Sequence, residues 1–283
     1  MNKRIYLLTT LLLVALLIAG CGFQVVVGSG KVTSETRSVG SFSAITLAGI
    51  GDVYVTQGEQ VSVKIEAEDN LIPYFETVVQ GNTLKIGVKP EYIGVNLRPT
   101  RPVKFYVTTP DLTAFTLAGS GNIFAGDVQA TGFDINLLGS GNISTDSLSA
   151  TNVSVKLAGS GDITVSSLAA TEVTTTIAGS GNVRLAAVTA DKVSSTTTGS
   201  GDISMDGKVT EQQVEIIGSG DYLGAGLKSQ SATVRVTGSG NSHLSASDAL
   251  DVTILGSGDV VYSGNPRLNA SVSGSGRVSS AGE

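Results

Sequence analysis

Within residues 111–283, Gly-Ser-Gly triplets begin at Gly119, Gly139, Gly159, Gly179, Gly199, Gly218, Gly238, Gly256 and Gly274, at spacings of 20, 20, 20, 20, 19, 20, 18 and 18 residues. So regular a period marks a repeat architecture, in which no unit buries its apolar side alone and each needs a neighbour. The flanks repeat too. Two positions before each triplet stand Leu117, Leu137, Leu157, Ile177, Thr197, Ile216, Val236, Ile254 and Val272; four before it stand Phe115, Ile135, Val155, Thr175, Ser195, Val214, Val234, Val252 and Ala270. After the triplet comes a polar residue and then usually an apolar β-former: Ile123, Ile143, Ile163, Val183, Ile203, Tyr222, Val260 or Val278. A further apolar residue recurs mid-repeat at Val128, Leu148, Leu168 and Val188. Alternation at period two is that of strands with one buried face, and no helical period accompanies it. The expectation is an all-β, single-chain parallel β-helix or solenoid of ~20-residue coils, each inward side chain lying on its equivalent about 4.8 Å away. Nine coils would make a rod about 40 Å long at that spacing.

The chain holds 36 glycines in 283 residues and only 15% charged residues, against an ordinary ~7% and ~25%. Gly119, Gly121, Gly139, Gly141, Gly159, Gly161, Gly179, Gly181, Gly199 and Gly201 are expected to be structural turn glycines. A corner repeated in every layer calls for φ > 0 and close backbone approach, which glycine permits. The next column reads Asn122, Asn142, Asp162, Asn182, Asp202, Asp221, Asn241, Asp259 and Arg277. Asn and Asp suit such turns and can bond to nearby backbone. Stacked oxygens could also bind Ca²⁺, which needs several converging ligands. Asp and Asn mostly alternate here, so only the adjacent Asp202 and Asp221 are weak metal candidates, and neither metal nor cofactor is expected.

The N-terminus reads as an address. Lys3 and Arg4 precede an apolar stretch from Ile5 to Ile18, followed by Ile18-Ala19-Gly20-Cys21. The run is short for a spanning helix and ends in small residues, as a secretory signal does. Its end resembles the lipobox of bacterial lipoproteins, which implies a signal peptide over residues 1–20 and acylation of Cys21. Gly22 in place of Asp favours, by the same resemblance, the outer membrane where the organism has one. Residues 21–31 are expected to be a lipidated tether. With Cys21 the only cysteine, no disulfide can staple the fold.

Residues 32–110 differ: they hold five of the six prolines and a less regular pattern. Strands are expected at Phe42 to Leu47, Val53 to Val55, Val61 to Ile65, Thr83 to Val88 and Val103 to Val107, with a helical turn within Asn70 to Val79. A solenoid end is an unpaired edge, so this segment is expected to cap it, leaving the C-terminal half coil without a cap. The stretches SFSAITLAGIGDVYVTQG, TLKIGV and VTTPDLTAFTLAGSGNI, leading into the repeats, resemble the bacterial family of putative auto-transporter adhesins with a head GIN domain. That resemblance runs from about Ser38 onward and implies a right-handed β-helix exported to the envelope, with no established activity.

Sixteen basic and twenty-four acidic residues follow residue 20, an acidity that excludes nucleic acid as a partner. Glycan-cleaving β-helices need paired carboxylates, basic residues and aromatic platforms; no such cluster recurs on one face of the repeat, Trp is absent, and the single His, His243, is expected at the surface. The threonines of 174–176 and 196–198 read as β-branched filler on an exposed strand. The expected function is therefore a non-enzymatic, envelope-anchored lipoprotein that presents a rigid solenoid for adhesion, scaffolding or docking. Its expected partners are the membrane, through the lipid, and a protein or glycan of the envelope. The alternatives are a glycan-binding or glycan-cleaving protein and a self-assembling one, joined through the C-terminal coil. A Cys21→Ala variant should move from the membrane to the soluble fraction when cells expressing it are fractionated; retention in the membrane would rule out the lipid anchor.

Overall fold

A computed structural model describes residues 25–282. Cys21, the leader and the first residues of the expected tether lie outside them. The chain is 65% strand and forms a parallel β-solenoid of about eight turns with an irregular N-terminal region. Nine triplets delimit eight turns, not the nine expected, because the last triplet is followed only by Val278–Ser280, stacked on Val260–Ser263.

Each coil has three inward-facing runs. In the coil after Gly141 these are Ile143 and Thr145, then Leu148, then Val153, Val155 and Leu157, all buried. A fixed offset from the triplet puts equivalent residues in register, so Ile135 lies on Val155, which lies on Thr175, Ser195, Val214, Val234 and Val252 in turn. Burying each Val, Ile or Leu stabilises the fold by about 1.5–3 kcal/mol. The polar members of these columns work against that. Thr145, Thr175, Ser195 and Ser242 are buried with hydroxyls that find no partner, at a cost of about 1–3 kcal/mol each. The threonine rungs are thus not surface filler throughout: Thr174 and Thr198 are exposed, whereas Thr175 and Thr197 point inward.

The corner glycines of the first five triplets are required for one reason, not two. None of Gly119, Gly121, Gly139, Gly141, Gly159, Gly161, Gly179, Gly181, Gly199 and Gly201 has positive φ. Instead, a Cβ added to Gly139, Gly159, Gly179 or Gly199 would overlap the carbonyl oxygen of the triplet's first glycine in the preceding coil, and Gly141, Gly161, Gly181 and Gly201 meet the third glycine's carbonyl likewise. That first carbonyl also accepts the next serine's N–H, as Ser160 donates to Gly139 at 3.1 Å and Ser180 to Gly159 at 3.1 Å.

The N-terminal region continues the stack and then closes it. Its strands are β1 (Val25–Val27), β2 (Val32–Arg37), β3 (Ala44–Ala48), β4 (Asp52–Gln57), β5 (Ser62–Glu68), β6 (Phe75–Gln80), β7 (Thr83–Val88), β8 (Asn96–Arg98) and β9 (Lys104–Thr109). β3 and β4 form a rung beneath Ala114–Leu117 and Asn122–Gln129. β7 and β9 add a second parallel rung, after which β6, β5 and β2 run antiparallel. Leu71, Ile72 and Phe75 plug the interior, with Phe75 edge-on to Phe105 at 5.8 Å; the 3₁₀ turn at Ile72–Tyr74 supplies the expected helical turn. Among the described residues the opposite end shows no such plug: Arg267–Gly274 is exposed along its length.

Segment 25–31 is held rather than loose. β1 pairs with β8, and the amide of Asn70 donates to the carbonyl of Val27 at 2.8 Å while its Oδ1 accepts the N–H of Ser29 at 2.9 Å. The buried carboxylate of Glu68 accepts the N–H groups of Gly30 and Thr100 at 2.6 and 2.8 Å and the hydroxyl of Thr100. Burial raises its pKa, and the hydrogen bonds from Thr100, Gly30 and Arg101 together outweigh it, so the group stays below the usual glutamate value.

Gly161→Ala should destabilise the fold by about 3 kcal/mol, because the atoms it strikes are backbone fixed by the ladder. At Gly126, where an added Cβ meets nothing within 4 Å, alanine should change stability by less than about 1 kcal/mol, in the stabilising direction. Denaturant midpoints of the two variants test the contrast, and equal midpoints would refute the close-approach account.

Candidate functional site

The column after the triplets is a hydrogen-bonded spine. Each side-chain oxygen accepts the N–H of its equivalent in the next coil: Asn142 donates to Asn122 at 3.0 Å, Asp162 to Asn142 at 2.9 Å, Asn182 to Asp162 at 2.8 Å and Asp202 to Asn182 at 3.1 Å. The weak calcium candidates belong to it. The Asp202 carboxylate accepts the N–H of Asp221 at 2.8 Å, and that of Asp221 accepts the N–H and the amide of Asn241 at 2.7 and 3.1 Å. These oxygens are directed at the next coil's backbone, not at a common centre. Among the described residues, no three His, Cys, Asp or Glu side chains are grouped to hold a metal ion. His243 is exposed, as expected.

A polar cluster inside the later coils was not anticipated. Tyr222, read as one more apolar member of its column, is fully buried and donates its hydroxyl to Gln212 Oε1 at 3.1 Å. The Gln212 amide donates to Ser229 Oγ at 2.8 Å and to the carbonyl of Ser245 at 3.0 Å, and Ser229 donates to that carbonyl at 2.8 Å. Register shifts at Ser204/Asp206, Gly224/Lys228 and Ser229/Ser231 accompany it. The ring fills space that a Cβ on Gly224 would enter. Burial pushes the Tyr222 hydroxyl well above the usual tyrosine pKa.

On the outward surface the structure brings together an aromatic row that the sequence reading did not find. Tyr106 of β9, Tyr54 of β4 and Phe124 occupy successive rungs of one column. Their rings stack at 5.4 Å and 20°, then 5.3 Å and 22°. Such separations mean overlap like tiles, so part of each face is left free. Lys64 closes the row, its ammonium 4.5 Å from the Tyr106 centroid, a cation–π contact. Tyr54 and Phe124 are 36% and 37% exposed, and Ser144 follows in the column, leaving the far side of Phe124 without a ring. Asp52 and Asn122 line one flank, with the Asn122 amide donating to Asp52 at 2.7 Å. The missed signal lies in pairing across 52 and 70 residues of chain, outside the repeat period. An open cleft of about 680 Å³ between cap and solenoid is lined by Ser43, Asn82, Asp111, Thr113 and Thr131. Ser43 and Thr113 share a hydrogen bond at 2.9 Å there, and a lone carboxylate among hydroxyls makes no acid–base pair.

The model of one family, described as "Putative auto-transporter adhesin, head GIN domain", matches residues 41–171 and 162–266. No curated protein matches the sequence. Among solved structures, a putative lipid binding protein from Parabacteroides distasonis is similar at TM-score 0.71 and 24% identity, covering 92% of this chain and 100% of that one. A putative adhesin from Parabacteroides merdae is similar at TM-score 0.73 and 22% identity, again over 92% and 100%. A second P. distasonis protein, a putative adhesin, gives TM-score 0.69 and 23% identity over 91% and 100%. At these identities the likeness is one of fold.

A tyrosine kept protonated in the native state while it ionises in the unfolded chain costs stability as pH rises above the ordinary value of ~10, at up to about 1.4 kcal/mol per pH unit. Tyr222→Phe should therefore be less stable than the parent at pH 7, by about 1–2 kcal/mol for the stranded Gln212 oxygen, and should lose stability less steeply above pH 10. Urea titrations across that range measure both effects; parallel pH curves would contradict the burial.

Proposed function

This chain belongs to the family of putative auto-transporter adhesins with a head GIN domain, and from that premise we propose that it is a non-enzymatic, lipid-anchored envelope protein whose solenoid presents its outward columns for adhesion. The observation that carries the reading is where the polar groups of the repeat are spent. The corner carbonyls, serine N–H groups and Asx oxygens bond coil to coil, and the buried polar cluster is closed on itself. What remains for recognition is the flat outer face of each sheet, held at strand spacing by the stack. Lipidation at Cys21, from the lipobox resemblance, supplies the anchor. The occupant with most support is a glycan, because Tyr106, Tyr54 and Phe124 offer apolar ring faces beside the amide, carboxylate and ammonium of Asn122, Asp52 and Lys64, a combination suited to polyhydroxylated rings.

The test is a glycan array read with and without Ca²⁺, together with a reducing-end assay on the bound glycans. The expected result is retention that needs no Ca²⁺, releases no reducing ends and weakens at least about tenfold in Tyr54→Ala/Phe124→Ala, since each lost ring contact contributes on the order of 1 kcal/mol. New reducing ends would overturn the non-enzymatic reading. A blank array with folded protein would remove the glycan and leave an envelope protein, or a second copy at the open C-terminal edge, as the partner.

A further inference from the structure

The β1–β8 ribbon has two unlike faces. Val26 and Leu97 pack on the body, while Val25 with Asn96 and Val27 with Arg98 are paired and exposed. Val25 is 45% and Val27 55% exposed, and Ile93, in the loop that leads into β8, is 78% exposed, more than any other large apolar residue described. Apolar side chains held out this far contribute less to the fold than buried ones, and grouped exposure of this kind marks a contact surface. The charge around them is also distinct. Lys31, Lys89, Arg98 and Arg101 face only Glu91 within residues 25–31 and 89–101, whereas residues 111–283 carry sixteen acidic and eight basic side chains. Behind the ribbon, Glu68 is satisfied by Gly30 and Thr100, and Asp69 lies 3.5 Å from Lys31.

The ribbon is rigidly placed, because Gly28 donates to the carbonyl of Arg98 at 3.0 Å and Asn70 and Glu68 grip residues 27–30. Cys21 precedes Val25 by four residues, so acyl chains there can start no farther than about 14 Å from it. We propose that the outer face of the ribbon and the Ile93 loop dock onto an anionic lipid bilayer. Val25, Val27 and Ile93 enter the headgroup boundary, and Lys89, Arg98 and Arg101 meet phosphates, as amphipathic surface contacts do. The acidic solenoid then leaves the membrane cap first, its C-terminal coil outermost. This inference rests on the lipid-anchor reading and adds the face by which the anchored body sits.

The chain has no Trp, so Ile93→Trp places a single reporter at the contact and Leu138→Trp, at a 58% exposed solenoid position, serves as the control. Both full-length lipidated proteins are mixed with phosphatidylglycerol-containing vesicles whose acyl chains are brominated. Emission from residue 93 should fall about twofold or more while residue 138 is unaffected, and Lys89→Glu/Arg98→Glu should restore the emission. Sedimentation with the vesicles but no quenching at residue 93 would overturn the docking face and spare the anchor. Failure to sediment would overturn the anchor reading, and quenching at residue 93 at high lipid concentration would then still decide the face: present, the face stands; absent, it falls.

Discussion

In each corner a carbonyl oxygen occupies the place where the next coil's Cβ would have to lie. Because glycine leaves that place empty, the backbones approach to sheet spacing at the tightest point of the turn, and the serine N–H reaches the carbonyl below it. The rest of the molecule is set by that spacing. Columns of Ile, Val and Leu touch only if every coil rises by one strand separation, and a side chain at a corner would pry them apart along their whole length. Cohesion here belongs to the interface between coils, as in other repeat proteins, and the corner is where the interface is least forgiving.

The periodic part of this design was legible because each structural requirement recurs at the same offset from the triplet. The columns through Ile143, Leu148 and Val155 could be read directly, and so could the change of character before residue 111. Legibility failed wherever one residue type served a different purpose. Gly28-Ser29-Gly30 has the letters of a corner and the look of a tether; it is neither, since Glu68 and Asn70 grip it from β5 and the residues just after it. Tyr222 sits in an apolar column yet needs Gln212, ten residues earlier, whose inward position is hidden because the repeat there shortens and its register shifts. The aromatic row joins β9, β4 and the first true coil, so its members share no period. Positive φ at the corners from Gly119 to Gly201 was inferred from glycine's freedom, when the smallness of its side chain was what mattered there.

The two ends of the stack obey different rules. At the N-terminal end the sheets turn antiparallel and Leu71, Ile72 and Phe75 fill the bore, so hydrogen-bonding edges and apolar core are both closed. At the C-terminal end Arg267–Gly274 keeps an exposed edge, with Leu268 and Val272 43% and 45% exposed. Its pairing to the coil below is regular over all eight residues, so the edge offers an ordered template, and any assembly or attachment has to treat the two ends as different surfaces.

The order of Asn and Asp along the corner is that of a hydrogen-bonded spine. Wherever Asn lies above Asp, as Asn122 over Asp52, Asn182 over Asp162 and Asn241 over Asp221, its amide donates down to the carboxylate. Asp above Asn makes only the backbone bond, as Asp162 over Asn142 does. Two carboxylates one rung apart repel by about 0.9 kcal/mol even in water, and an intervening amide turns that repulsion into a hydrogen bond. A cation site would gain from neighbouring carboxylates and lose from each Asn put between them. The stack has taken the opposite course at every step except Asp202 to Asp221, so its recognition chemistry has to come from side chains that no ladder consumes.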